Sequence, residues 1–178
     1  EYKDNRFKFI LFGRWDYRKS TKEIIESFLQ EFNEDEPVDL IVSIDNPYAK
    51  DEFKSTENRL KNYNLNDPRI KIKHFPTRKE YIKYLQKGHV FLSCARSEGW
   101  NLPLIEAMAC GTPSIYSNCS AQLEFAEGLG LPVNILSTSK AKKGEYSSFS
   151  QEMLEGEFYD PDFNDLKKVM RDAYINYK

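Results

Sequence analysis

Two carboxylates frame the part of this sequence where chemistry is easiest to place. Glu98 and Glu106 enclose seven residues within S-E-G-W-N-L-P-L-I-E-A-M-A-C-G-T-P-S, which runs from Ser97 to Ser114. From Leu102 to Cys110 the segment is apolar on nearly every face a helix could offer, and Glu106 is its only charge. Burying an unpaired carboxylate is costly, so Glu106 needs a partner. One solution is a structural ion pair with an Arg or Lys of a neighbouring helix. The other is a place at the rim of a polar cleft, accepting hydrogen bonds from the hydroxyls of a ligand. The residues alone leave both open. Asn101 can cap a helix here, and Pro103 falls in the first turn, where its missing N–H costs little. The amides of residues 100–102 would then point out of the helix start. Side chains lean toward that same end, so Glu106 can reach back to the rim.

A second cluster lies far upstream. G-R-W-D-Y-R-K-S, from Gly13 to Ser20, brings Arg14, Arg18 and Lys19 just ahead of a helix start. Cations together with free helical amides can hold an anion. The stretch is neither a P-loop nor a G-x-G-x-x-G fingerprint, because Gly13 stands alone. A solvated basic turn is the plainer reading.

Composition narrows the class of molecule. At 178 residues with 12 Phe and 11 Tyr, the chain suits one compact domain with an ample core. The net charge of −2, with both signs mixed along the chain, announces no nucleic-acid surface, so any anion site must be local. Cys94, Cys110 and Cys119 lack metal-like spacing and read as small apolar side chains in a reducing compartment. No stretch approaches a membrane-spanning length. The first residue is Glu1 rather than Met, which reads as a fragment whose N-terminal partner domain lies outside it.

The elements that must position these residues alternate. Strands are expected at 7–12, 38–44, 70–75, 90–94, 113–117 and 132–136. Helices are expected after Ser20, around 51–62, at 77–85, through the apolar segment after Asn101, at 121–127 and at 162–177. Ser20-Thr21-Lys22-Glu23 and Thr77-Arg78-Lys79-Glu80 both read as capping boxes. Gly111 stands where a helix end wants a left-handed residue. The polar stretch 137–161 reads as a mobile loop. Apolar strands separated by helices imply a doubly wound parallel sheet of about six strands, α/β and Rossmann-like. In such a sheet ligands sit beyond the carboxyl ends of the strands, which is where both clusters fall.

The frame E-G-x-x-L-P-x-x-E-A-M-A-C-G-T-P, together with Gly13-Arg14 followed by Lys19, resembles the E-x7-E signature and the G-R-x-x-x-x-K element of group 1 (family 4) retaining glycosyltransferases. The resemblance covers most of the chain. It implies one half of a GT-B fold, the whole of 1–178 forming the C-terminal, donor-binding domain of a two-domain enzyme. Glu106 would bind the ribose hydroxyls of a nucleotide diphosphate sugar, UDP- or GDP-linked, and Glu98 would position the transferred sugar. Gly99, Trp100, Asn101 and Leu102 would offer backbone amides. Gly13 would allow close approach, while Arg14 and Lys19 hold the phosphates, and Phe75, Thr77 and Arg78 line the base. With Glu98, these two cations form the catalytic set. No metal and no cofactor is expected, and neither carboxylate is expected to act as a covalent nucleophile. The fragment alone is expected to transfer no sugar, and the full-length protein is expected in the cytoplasm, with peripheral membrane attachment left open. Asn101 stands where the family has Gly, a change that Asn tolerates in left-handed backbone and that would bring its amide to the sugar. Pro76 stands where Gly is common.

His74 and His89 read as structural, Trp15 as packing or stacking, Glu124 as exposed and Lys140–Lys143 as a solvated run. The rivals are a non-catalytic nucleotide-binding module of the same fold, a GT-B epimerase and a receiver-like signalling domain. The last needs an acidic cluster at the ends of strands one and three that Gly13-Arg14 and Phe75-Pro76 do not supply.

Overall fold

Strands buried on both faces must be apolar at nearly every position, and the first run, FKFILF, meets that demand. In the computed structural model, which describes residues 5–141 and 156–177, it forms β1 (Phe7–Phe12). Around it lie β2 (Val38–Ser43), β3 (Ile70–Ile72), β4 (Val90–Ser93), β5 (Ser114–Ser117) and β6 (Leu131–Val133), in the order β3-β2-β1-β4-β5-β6. Every neighbouring pair is parallel. This is the expected doubly wound sheet, and its order reverses between β1 and β4.

The pleat sends alternate side chains to opposite faces. Phe9 and Leu11 join a core with Ile24, Ile25 and Phe28 of α1 (Thr21–Glu31), Leu60 of α2 (Thr56–Asn62), and Leu166 and Met170 of α6 (Phe163–Asn176). Ile10 and Phe12 join the other, with Leu85 of α3 (Arg78–Lys87), Leu104 and Ala107 of α4 (Leu102–Ala109), and Ala126 of α5 (Leu123–Ala126). Phe75 packs into this second core, edge-on to Phe12 with ring centres 4.9 Å apart.

Gly111 ends α4 with φ 78°, as expected of a left-handed helix terminator. The other boundaries shift modestly. The polar helix expected at 51–62 divides into a 3-10 turn, Asp51–Phe53, and α2, and the segment 121–127 divides similarly ahead of α5. The expected sixth strand, 132–136, is two strands: β6 completes the sheet, and after Asn134 the chain leaves it as β7 (Ile135–Lys140). β7 pairs antiparallel with β8 (Glu157–Pro161) in a separate ribbon. The expectation of a loop across 137–161 is therefore corrected at both ends, while 142–155, including two residues of the basic run, lie outside the described residues. Alternating Ser, Thr and Lys hid β7 because both of its faces are largely exposed, which leaves no hydrophobic period to read.

Candidate functional site

The loops that follow β1 and β4 meet at the reversal of strand order. Gly13 opens the first with φ 145°, and an added Cβ would meet no atom within 4 Å. The conformation selects glycine, and the space beside it is open. The chain then turns through Trp15, which is buried against Tyr63 and so packs in the core. It reaches Lys19, whose amide donates to Asp16 Oδ1 at 2.9 Å.

Here the cations meet the first carboxylate. Arg18 Nη1 lies 2.8 Å from Glu98 Oε1, and Lys19 Nζ forms a still closer ion pair with the same oxygen. These contacts are ion pairs rather than well-angled hydrogen bonds, and they leave Oε1 sealed from solvent. Burial pushes the Lys19 ammonium below its ordinary value, and the Glu98 charge opposes that shift without cancelling it. Glu98 is fixed from behind as well: its amide donates to Ser120 Oγ at 3.2 Å, and its carbonyl accepts from the Ala121 amide. Arg14, expected beside Lys19, turns elsewhere. Its guanidinium sits over the Tyr48 ring at 5.3 Å and 3.8 Å from Asp16.

Glu106 has the partner its surroundings require. Arg78 Nη2 donates to Oε1 at 2.7 Å, and the Tyr81 hydroxyl donates to Oε2 at 2.8 Å. The ion pair with a neighbouring helix, one of the two solutions open from the sequence, is thus present. Burial alone pushes the Glu106 carboxyl up, but the bonds from Arg78 and Tyr81 together outweigh it and hold the group below its ordinary value. Burial, then the bond to Glu106, pushes the Tyr81 phenol well up. Arg78 is itself largely exposed, so Glu106 stands at a rim open to solvent. Thr77 caps α3 by accepting from the Glu80 amide at 3.3 Å, while Glu80 returns to the Thr77 hydroxyl rather than to its backbone.

Between the two carboxylates the chain enters α4. Asn101 takes φ 59°, the left-handed backbone expected where the family has Gly. Its side chain does not cap the helix, a correction to the sequence reading. It is buried, and its amide nitrogen donates to Ser93 Oγ at 2.8 Å and Gln122 Oε1 at 2.7 Å. That tie joins the loops after β4 and β5 and occupies the nitrogen expected at the sugar. The backbone amides of Gly99, Trp100, Asn101 and Leu102 have no acceptor among the described residues. They stand at a helix N-terminus beside a cation pair, an arrangement suited to an anion.

The sequence reading missed Arg96. This buried guanidinium donates to Tyr17 O at 2.7 Å and Ser20 Oγ at 3.0 Å, pairs with Glu23 at 3.0 Å, and pairs with Asp160 of β8 at 3.1 Å. Its cation lies 3.9 Å from the centre of the Tyr17 ring. The capping box expected at Ser20–Glu23 is overturned for this reason: Ser20 is left-handed, with φ 52°, and its hydroxyl and Glu23 serve Arg96 instead. A single Arg in A-R-S-E carries no signal of its own.

His89 accepts from the Lys8 amide at 3.0 Å and stacks on Phe7, a structural role. His74 lies near Asp45 and Glu57, and Glu124 is exposed. The three cysteines are free, two of them buried. Among the described residues no group of three His, Cys, Asp or Glu is placed to hold a metal, and no helix is long and apolar enough to cross a membrane.

The chain matches the family model "Glycosyl transferases group 1" over residues 1–128. It is 37% identical over 71 residues to a protein provisionally named glycosyltransferase 48 of Sulfolobus islandicus filamentous virus, a match covering 38% of this chain and 23% of that one. It is 34% identical over 81 residues to one provisionally named glycosyltransferase ORF313 of Acidianus filamentous virus 1, covering 45% and 26%. The matches thus span about a quarter of the length of these relatives. Among solved structures, sucrose-phosphate synthase from Thermosynechococcus elongatus shares 22% identity at a TM-score of 0.67, covering 97% of this chain and 37% of that one. The C-terminal domain of a glycosyl transferase group 1 family protein from Francisella tularensis shares 22% at 0.63, covering 97% and 79%. HepE of Anabaena, solved in complex with UDP-glucose, shares 19% at 0.60, covering 73% and 35%. At these identities the likeness to solved structures is one of fold.

Proposed function

Since this chain belongs to the group 1 glycosyltransferases, we propose that it is the donor-binding C-terminal domain of a retaining, two-domain GT-B enzyme that moves a sugar from a nucleotide diphosphate to an acceptor. The observation that carries this reading is the clasp of Glu98 by Lys19 and Arg18 at the reversal of strand order, beside the amides of residues 99–102.

Breaking the anomeric bond leaves negative charge growing on a diphosphate. Fixed cations and oriented amides stabilise that charge where it develops, with no reorganisation needed at the moment of reaction. Lys19 and the open amides supply this, and Arg14 can swing in from its exposed position. The chemistry therefore runs without a metal or other cofactor. Glu98 positions the transferred sugar through its hydroxyls, and neither carboxylate forms a covalent bond. Glu106 accepts from ribose hydroxyls: each carboxylate oxygen can accept more than one bond, and the exposed Arg78 can yield. Phe75, Thr77 and Arg78 border the base. The acceptor site belongs to an N-terminal domain outside this sequence, so the chain alone binds donor weakly and transfers nothing. A cytoplasmic location suits a nucleotide-sugar donor.

Calorimetry with UDP, GDP and ADP tests the reading. One of the three is expected to bind in preference, and Arg14→Ala and Glu106→Ala are each expected to weaken it by about tenfold, the worth of a charge-assisted hydrogen bond. Equal binding of all three, or binding indifferent to both substitutions, would contradict it.

A further inference from the structure

Glu98 spends a single oxygen on two cations, an uneven arrangement. Arg18, Lys19 and Glu98 are all shielded, with side-chain exposures of 15%, 16% and 7%. Two positive charges face one negative where the surroundings screen poorly, so the trio carries a net positive charge. Arg18 Nη1 also donates to Ser97 O at 2.6 Å, and the remaining N–H groups of its guanidinium meet no acceptor among the described residues. Both cations are held by their backbones: the Arg18 carbonyl accepts from the Arg96 amide at 2.7 Å, and the Lys19 amide is held by Asp16. Glu98 is pinned by Ser120 and Ala121. Arg14 of the G-R element takes no part in the trio.

We propose that Arg18 is a binding residue for the donor's diphosphate alongside Lys19, and that Glu98 is the internal counter-ion which the diphosphate displaces from both. The inference rests on the donor-site reading above. A diphosphate brings more charge and more acceptor oxygens than one carboxylate oxygen, and the guanidinium fork can engage two of them at once. The exchange thus leaves the cations better paired than before. Glu98 cannot move far, because its backbone is tied on both sides. Once released, its carboxylate stays beside the two cations, free to accept from the hydroxyls of the sugar that arrived with the diphosphate. One residue thereby holds the cations before the donor binds and positions the sugar afterwards.

The test is calorimetric titration of inorganic diphosphate into the chain and into Glu98→Gln and Arg18→Gln, each checked by circular dichroism for fold. Removing the competing carboxylate is expected to tighten binding by about tenfold, and removing the guanidinium to weaken it by about tenfold. A Glu98→Gln protein that binds no tighter overturns the counter-ion role. An Arg18→Gln protein that binds as tightly as its parent overturns the role of Arg18. If Glu98→Gln fails to fold, the smaller Glu98→Ser carries the same expectation. UDP, GDP and ADP titrated in parallel separate the two readings. Should none bind better than inorganic diphosphate while both variants behave as expected, the nucleotide assignment fails and the exchange stands.

Discussion

Glu106 shows how a single charge is accommodated in an apolar helix. Its carboxylate is held below the ordinary value of 4.5 because bonds from Arg78 and Tyr81 outweigh the effect of burial. A carboxylate depressed in the folded state contributes stability above its unfolded value, and that contribution is lost as pH falls through the folded one. Tyr81→Phe removes one of the two bonds, so it should cost about 1–2 kcal/mol near neutral pH. It should also raise the Glu106 value, so that the remaining contribution is lost at a higher pH. Urea midpoints measured from pH 7 down to about pH 3 check both. A cost that is the same at every pH would show that Tyr81 packs without tuning the acid. The sequence marked Glu106 as needing a partner and named the two kinds available. It could not choose between them, because Arg78 is twenty-eight positions away and meets Glu106 only once α3 and α4 lie side by side.

At the level of elements, the turn between β1 and α1 is shaped from outside. Arg96, from the loop after β4, reaches Tyr17, Ser20 and Glu23, and ties all three to Asp160 on the β7–β8 ribbon. Arg18 and Lys19 lie inside that grip. Arg96→Met fills similar volume but strands two carboxylates and a carbonyl, and breaking a buried pair in this way costs about 3–5 kcal/mol. In a chain of this size that should lower Tm by roughly 10 °C, as calorimetric melting will show. A loss within about 0.5 kcal/mol, the range of ordinary surface changes, would mean that the network is incidental. The central strands were legible because burial on both faces leaves near-continuous apolar runs such as Val38–Ser43. The ribbon was not, because β7 buries little on either side, and β8, anchored by the buried Phe158, pairs through Asp160 with a residue sixty-four positions away. The same long-range demand turned the Ser20 capping signal to another use.

For the whole molecule, topology does the gathering. Sequence separations of about eighty residues between the Gly13 loop and the Glu98 loop vanish because β1 and β4 are neighbours and the strand order reverses between them. The doubly wound architecture followed from the alternation of apolar strands and helices, and with it the edge where the two candidate clusters meet. The partners at that edge did not: the sequence offered Arg14, Arg18 and Lys19 as a set, and only packing decided that Arg18 and Lys19 take Glu98 while Arg14 faces Tyr48. A cavity of about 200 Å³ bordered by Lys8, Ile10 and Lys87 opens near the opposite, amino-terminal edge, and it supplies a natural control. The most direct measurement is an amide NMR titration with the preferred nucleoside diphosphate. Signals of Lys19 and of residues 97–102 should shift first and furthest, and those of Lys8 and Gly88 should stay still. The largest shifts falling around Lys8 and Gly88, with Lys19 unmoved, would contradict a donor site at the β1–β4 reversal.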